Sequence, residues 1–130
     1  MHNNNGQFRG KTALVTGASS GIGLATALAF GAQRAHVLVH YNQREAEARD
    51  AVARVCQAGG SGEVLQGDLS SMSGVRALTE AVAARPIDIL VNNAGSLMRR
   101  TRVLEFTPEL WEKVLTLNLT SAFFLSPRIA

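Results

Sequence analysis

The 130-residue sequence predicts an α/β fold, a doubly wound parallel sheet of the Rossmann type, within a single domain. Three observations support this prediction. Short apolar segments alternate along the chain with longer segments of helical periodicity. The apolar segments lack polar alternation, which is typical of parallel strands covered by helices on both faces. A glycine-rich turn directly follows the first apolar segment and precedes the first helical one.

The predicted elements follow one another in regular strand–helix order. The predicted strands are Lys11–Thr16, His36–Tyr41, Glu63–Gly67 and Ile87–Val91. The predicted helices are Ile22–Gln33, Arg44–Ala58, Met72–Ala84 and a long helix with Thr107 as N-cap and Pro108 at its first position. No stop signal for this last helix precedes Ala130. We therefore expect the domain, residues 1–130, to be truncated within that helix and its sheet to be incomplete on the C-terminal side.

Apolar spacing predicts which face of each helix is buried. The expected buried positions of the second helix are Ala48, Ala51, Val52, Val55 and Cys56. Those of the third helix are Val75, Leu78 and Val82. Those of the last helix are Leu110, Val114 and Leu117. Three glycines are expected to stop the second helix, namely Gly59, Gly60 and Gly62.

The turn after the first helix lacks the glycine that commonly ends a helix. It reads Gln33-Arg34-Ala35, and Gly31 lies three residues too early. If Arg34 adopts a left-handed conformation, about 1 kcal/mol is lost relative to glycine.

Charge and composition narrow the class of protein. The formal charge is +3, and the one short basic group consists of Arg99, Arg100 and Arg102. This small excess of positive charge predicts weak attraction for anions but no nucleic-acid surface. The single cysteine, Cys56, is typical of a reducing compartment. The first ten residues lack the apolar core of a signal peptide, and no apolar stretch is long enough to span a membrane. A cytoplasmic protein without membrane partners is expected.

The glycine-rich turn has the context of a dinucleotide site, because it follows a strand and opens a helix. It reads Thr16-Gly17-Ala18-Ser19-Ser20-Gly21-Ile22-Gly23. Gly17 would permit the tight turn, Gly21 the approach of backbone to a pyrophosphate, and Gly23 close packing of helix and strand. The helix start would attract the phosphates. The glycine spacing is one residue longer than the usual dinucleotide fingerprint, and a turn that binds nothing is the alternative.

Three further segments accompany this turn, and together they resemble the short-chain dehydrogenase/reductase family over residues 9–126. They are Gly67-Asp68-Leu69, Asn92-Asn93-Ala94-Gly95 and the later Asn118. The resemblance implies an oxidoreductase that transfers hydride between NAD(P)(H) and a small carbonyl or alcohol substrate, similar to 3-oxoacyl-carrier-protein reductases and sugar or polyol dehydrogenases. It also implies a homo-oligomer, tetrameric in this family, and no metal.

The same resemblance implies which residues bind the cofactor. Those expected at the phosphates and ribose are Gly17, Ser19, Ser20, Gly21, Ile22 and Gly23. Those expected at the adenine are Asp68 and Leu69, and those at the riboses are Asn93, Ala94 and Gly95. Structural alternatives remain open: Asp68 as helix N-cap, in competition with Ser70 and Ser73, and both asparagines as partners of exposed backbone.

The end of the second strand bears on the choice between NAD and NADP, since an acidic residue there would bind the 2′-hydroxyl and repel a 2′-phosphate. Tyr41 occupies the matching position. Neither it nor Asn42 is acidic, and Arg44 could reach a phosphate, which favours NADP. Glu45 and Glu47 weaken this argument, and so does Ser20, where NADP-preferring relatives often have a basic residue.

Asn118 resembles the asparagine of the family's Asn-Ser-Tyr-Lys catalytic set, which holds a water in the proton path. The alternative is that its amide bonds backbone at a helix kink. The Tyr-x-x-x-Lys pair itself is missing from these residues, since Tyr41 is the one tyrosine and no lysine follows it by four. Two functions are therefore considered: a reductase of which this chain is a part, and a catalytically inactive nucleotide-binding or scaffolding protein.

Overall fold

The computed structural model of the chain describes residues 6–96 and 102–128. Four parallel strands form one sheet in the order β3-β2-β1-β4. The strands are β1 (Thr12–Val15), β2 (His36–Tyr41), β3 (Ser61–Gln66) and β4 (Ile89–Val91). The helices that connect them are α1 (Gly21–Ala32), α2 (Glu45–Gln57) and α3 (Met72–Ala83). This is the strand order of a Rossmann-type half, so the predicted fold class is confirmed.

The central strands are buried on both faces, as their composition predicts. Val15 and Val39 contribute to a core beneath α1 and α2, while Leu14 and Leu38 contribute to a second core beneath α3. The predicted face of α3 is buried at all three positions. In α2 the prediction fails at Cys56, which is exposed. It lies about 100° around the helix from the buried Val55, at the margin of the apolar face.

Gly62 does not help to stop α2, because β3 already begins at Ser61. A Cβ at Gly62 would lie 2.8 Å from the carbonyl oxygen of Val37, so glycine is needed here for close approach of two strands. Gly59, with a φ of 114°, follows the C-cap of α2 as predicted.

Arg34 has a φ of 67° and is the one non-glycine residue with positive φ among those described. The N–H of Arg34 donates to Gly31 O and the N–H of Ala35 donates to Phe30 O, which is the Schellman pattern at the end of α1. The left-handed conformation considered for Arg34 is therefore confirmed, with its cost of about 1 kcal/mol relative to glycine.

The long helix predicted after Thr107 is present, and it contains a π-helical turn that the sequence did not predict. After a short 3₁₀ turn (Val103–Glu105) come α4 (Pro108–Leu115), a π-helical turn (Thr116–Thr120), α5 (Ser121–Leu125) and a final 3₁₀ turn (Ser126–Arg128). The N-cap is confirmed, since Thr107 Oγ1 accepts from the N–H of Leu110 at 3.1 Å. Ser126, the residue before Pro127, keeps an α conformation, but Pro127 has no N–H to continue the i→i−4 hydrogen bonds, so the α pattern ends after α5.

No helix within residues 6–96 and 102–128 is both long and apolar enough to cross a membrane. Of the short basic group, Arg102 is exposed, while Arg99 and Arg100 lie outside the described residues.

Candidate functional site

A cleft of about 690 Å³ lies at the carboxyl ends of the strands, a volume typical of small-ligand sites. The chain order reverses between β1 and β4, and open α/β sheets bind ligands at such a point. Most of the predicted cofactor residues line the cleft: Gly17, Ser19, Ser20, Ile22, Tyr41, Asn42, Arg44, Asp68, Leu69, Asn93, Ala94 and Gly95. Three other predicted residues, Gly21, Gly23 and Asn118, do not line it.

The glycine turn has the backbone that its glycines were expected to permit. Gly17 and Gly21 have φ values of 63° and 59°. Apart from its chain neighbours and the backbone of α1, no atom lies within 4 Å of a Cβ built on Gly21, which sits between the cleft-lining Ser20 and Ile22. Ser20, the N-cap of α1, makes no side-chain capping bond. The first N–H groups of α1 therefore remain suited to an anionic ligand.

Gly23 is required by packing, as predicted, although its neighbours are not those of a strand. A Cβ at Gly23 would lie 2.3 Å from the carbonyl oxygen of Gly17 and 2.5 Å from Asn93 Nδ2. The close contact thus joins the start of α1 to its own turn and to the segment after β4.

Asn93 ties this segment to the glycine turn. Its Nδ2 donates to the carbonyl oxygens of Thr16 and Gly17, each at 3.1 Å. Thr16 Oγ1 accepts from the N–H groups of Asn93 and Ala94, each at 2.9 Å. The structural role considered for Asn93 is therefore present. Thr16 was not among the predicted site residues, although it begins the glycine motif. Asn92 Nδ2 donates to Ser126 Oγ at 3.2 Å, away from the cleft lining.

Asp68 does not cap α3. The N-cap is Ser71, whose Oγ accepts from the N–H of Gly74, so both proposed competitors, Ser70 and Ser73, were also wrong. Asp68 Oδ1 instead accepts from the N–H and hydroxyl of Ser70, at 2.9 and 2.6 Å. This turn directs the chain from β3 into α3.

Leu69 is 2% exposed and belongs to the core beneath α3 while also bordering the cleft. Tyr41 is similar: it is 8% exposed and packs in the core beneath α1 and α2. The side chains of Asn42 and Arg44 are exposed at the cleft rim. These two, more than Tyr41, are positioned to discriminate between ligands.

Asn118 lies within the π-helical turn and bonds backbone, as its structural alternative proposed. Its Nδ2 donates to Ser96 O at 2.7 Å and to Val114 O at 2.9 Å, and its Oδ1 accepts from the N–H of Ser96 at 3.1 Å. Gly95 makes room for it, because a Cβ there would lie 2.6 Å from Asn118 Oδ1. The amide therefore holds the chain beside the cleft.

His40 is a cleft residue that the sequence analysis did not identify. It is 3% exposed and bridges Gly17 and Gly67 through its two ring nitrogens. Burial lowers the pKa of His40, and the hydrogen bond to the Gly67 carbonyl opposes part of this shift. The sequence signal was a polar residue inside the predicted strand, between Val39 and Tyr41.

The decisive comparison is with a sequence profile described as short chain dehydrogenase, which matches residues 11–130. The chain belongs to the short-chain dehydrogenase family. The resemblance inferred from the glycine turn, the Asn-Asn-Ala-Gly segment and Asn118 is thereby confirmed.

Relatives of this short-chain dehydrogenase include named enzymes. A 3-oxoacyl-[acyl-carrier-protein] reductase of Synechocystis sp. is 38% identical over 122 residues, which is 92% of this chain and 49% of that protein. The 3beta-hydroxysteroid dehydrogenase 1 of Eggerthella lenta is 38% identical over 118 residues, or 89% and 45%. The chain thus spans about half the length of these curated relatives.

Solved structures of similar proteins contain either dinucleotide. The angucycline C-6 ketoreductase LanV with bound NADP is 34% identical with a TM-score of 0.86, over 99% of this chain and 53% of that one. The NADH-dependent reductase A1-R' complexed with NAD is 28% identical with a TM-score of 0.84, over 95% and 52%. Several structural relatives of the chain thus contain a bound nicotinamide dinucleotide.

Proposed function

We propose that the full-length protein is an oxidoreductase that transfers hydride between NAD(P)(H) and a small carbonyl or alcohol substrate. The observation that carries this proposal is the cleft in which the glycine turn meets the ends of the four described strands. The named dehydrogenases and reductases among the relatives favour it over an inactive scaffolding protein. The nicotinamide supplies the hydride when bound, and this chain binds and orients it.

Each part of the cleft suits one part of a dinucleotide. The turn from Gly17 to Gly23 offers backbone N–H groups and a helix start to the phosphates. Asp68 Oδ2 has no partner among the described residues, so it can accept from the adenine amino group while Leu69 covers the ring. Asn93, Ala94 and Gly95 form the wall expected at the riboses.

We also propose that Asn118 retains the family's water-holding role. Its Nδ2 is fully occupied by two carbonyls, but an amide oxygen has two lone pairs and Oδ1 uses one for the Ser96 N–H. The second lone pair can accept from a water. This proposal assigns Asn118 two simultaneous tasks, which the structure permits.

NADP is the proposed preference over NAD. Arg44 is exposed on the cleft rim, and no described carboxylate pairs with it. We expect Arg44→Ala to weaken NADPH binding about tenfold, because one charge-assisted contact to the 2′-phosphate is lost, and to leave NADH affinity nearly unchanged. Titration of the full-length protein with both nucleotides measures the two affinities.

Asn42→Asp is the companion change, and it avoids placing a charge at the buried Tyr41. A carboxylate at the exposed rim should repel the 2′-phosphate and accept from the 2′-hydroxyl, so the ratio of NADPH to NADH affinity should fall. Arg49→Ala, on α2 five residues after its N-cap Arg44 and outside the cleft lining, is the control for Arg44→Ala. Tighter binding of NADH than of NADPH by the unmodified protein would contradict the proposed preference.

A homo-oligomer is proposed for the full-length protein, with a tetramer as the family's form. Large apolar side chains are exposed along α4, the π-helical turn and α5, including Trp111 at 56%, Leu119 at 64% and Phe123 at 69%. Burial of such a surface favours association. Light scattering of the full-length protein should give a mass above that of one chain, and a monomer at micromolar concentration would contradict the proposal.

A cytoplasmic location is proposed as well, because Cys56 is a free cysteine, which is typical of a reducing compartment.

A further inference from the structure

His40 occupies a position at which one side chain can control the shape of the cofactor cleft. The N–H of Gly17 donates to His40 Nδ1 at 3.0 Å, and His40 Nε2 lies 2.8 Å from the carbonyl oxygen of Gly67. The backbone of the same residue adds a third bond, because the N–H of Ala18 donates to His40 O at 3.0 Å. One residue of β2 therefore connects the glycine turn after β1 to the end of β3.

These contacts determine the protonation state of the ring. A backbone N–H can only donate, so Nδ1 must be an unprotonated acceptor toward Gly17. A carbonyl can only accept, so Nε2 must carry the proton toward Gly67. The ring is thus a neutral imidazole with its hydrogen on Nε2. A second proton on Nδ1 would point at the Gly17 N–H and abolish that bond.

We propose that His40 is a positioning residue that holds the glycine turn in the cofactor-binding shape, and that protonation of His40 releases the turn and weakens dinucleotide binding. This inference rests on the proposed function of the cleft. The turn it holds is the one whose amides face the phosphates, and the strand end it holds leads directly into Asp68 and Leu69. Preorganising the glycine turn removes an ordering cost from binding.

The surroundings of His40 make its protonation costly. On β3, Leu65 is the register partner of His40. Val15 at the end of β1 is paired with Val39, so Thr16, the next residue, lies level with His40. From α3, Leu78 lies beside Gly67, the ring's partner. The charged side chains of the cleft are Asp68 and Arg44, and those of α3, Arg76 and Glu80, are exposed. Burial lowers the pKa of His40 below the usual histidine value of about 6.5. The ring is therefore neutral at pH 7 and gains a proton only in more acidic solution.

Two variants divide the contacts of the ring between them. His40→Asn keeps an acceptor at the place of Nδ1 and loses the donor to Gly67, whereas His40→Gln keeps a donor at the place of Nε2 and loses the acceptor for Gly17. Each removes one hydrogen bond from a buried site, so the two are matched in polarity. We expect NADPH affinity of the full-length protein to fall about tenfold in His40→Gln and within about threefold in His40→Asn.

A purely structural histidine would give a different result, namely equal loss of affinity in both variants or loss that follows their thermal stability. That result would overturn the inference while leaving the proposed function intact. Failure of the unmodified protein to bind either dinucleotide would overturn both. Amide exchange at Gly17 in the nucleotide-free protein provides a second measurement, and the inference requires protection in His40→Asn and its loss in His40→Gln.

The pH dependence supplies a further test. As the pH is lowered from 7 through the range in which both proteins stay folded, NADPH affinity of the unmodified protein should fall relative to that of His40→Asn, since only the histidine gains a proton. Expressing the result as a ratio cancels titration of Asp68 and of the nucleotide phosphate. His36→Asn, at the other end of β2 and partly exposed, is the control and should retain the pH dependence. An unchanged ratio across this range would overturn the proposed switch.

Discussion

Gly21→Val in the full-length protein should abolish NADPH binding and leave the sheet folded. The backbone at Gly21 has a φ of 59°, so a valine there costs roughly 1–2 kcal/mol in strain. Apart from its chain neighbours and the backbone of α1, no protein atom lies within 4 Å of its Cβ, so the Cβ meets no obstacle from the rest of the fold. A folded domain of ordinary stability, about 5–15 kcal/mol, tolerates this cost.

The branched side chain would occupy space beside the N-terminal amides of α1, where the pyrophosphate must approach the backbone. The expected loss of affinity is roughly a hundredfold or more, because charged oxygens would be kept from several N–H donors at once. Thermal unfolding and NADPH titration on the same sample separate loss of fold from loss of binding. A turn with only a structural role predicts the reverse pattern, lower stability without a specific change in affinity.

Gly10→Val is the matched control for this experiment. Gly10 has a φ of 79°, and a Cβ there also meets nothing within 4 Å. It lies before β1, at the amino ends of the strands, whereas the cleft lies at their carboxyl ends. Strain should therefore be similar in both variants, and only Gly21→Val should lose the nucleotide. Near-native NADPH affinity in Gly21→Val, or an equal loss in Gly10→Val, would refute the assignment of Gly21 to the phosphates.

Features that depend on local sequence could be predicted. The strand β2 has the predicted bounds because its apolar run lies between turn residues. The N-cap at Thr107 and the conformations of Gly17 and Gly21 follow from residue type and immediate neighbours. The positive φ of Arg34 was considered for the same reason, since the turn requires that conformation whatever residue occupies it.

Features that depend on partners distant in sequence could not be predicted. Gly62 was interpreted as a helix stop, but its role is close approach to Val37 on a neighbouring strand. The π-helical turn forms where Asn118 reaches Ser96, 22 residues earlier. The role of His40 depends on Gly17 and Gly67, which it joins and which only the sheet brings together. In each case the residue type was visible, but its partner was set by the tertiary structure.

The 130-residue chain alone should reduce no carbonyl substrate at a measurable rate. Hydride transfer to a carbonyl produces an alkoxide that needs a proton, and a positioned general acid contributes roughly 10²–10⁴-fold to such steps. The one tyrosine, Tyr41, is 8% exposed and lines the cleft beside Asn42, and no lysine follows it by four residues. Lys11 precedes β1 at the amino ends of the strands, away from the cleft, and Lys113 lies on α4. No Tyr-x-x-x-Lys pair can be assembled from these residues.

The experiment compares the 130-residue chain with the full-length protein, using loss of NADPH absorbance with a panel of 3-oxoacyl thioesters, keto-sugars and ketosteroids. Parallel NADPH titration of the short chain establishes whether its cleft still binds the cofactor, so that absent chemistry is not confused with absent fold. Turnover by the full-length protein alone is the expected outcome. The contradicting result is NADPH-dependent turnover by the pure 130-residue chain that Asn118→Ala abolishes. It would mean that these residues carry a proton donor outside the Tyr-x-x-x-Lys pair. The assignment of catalysis to that pair would then be wrong for this protein.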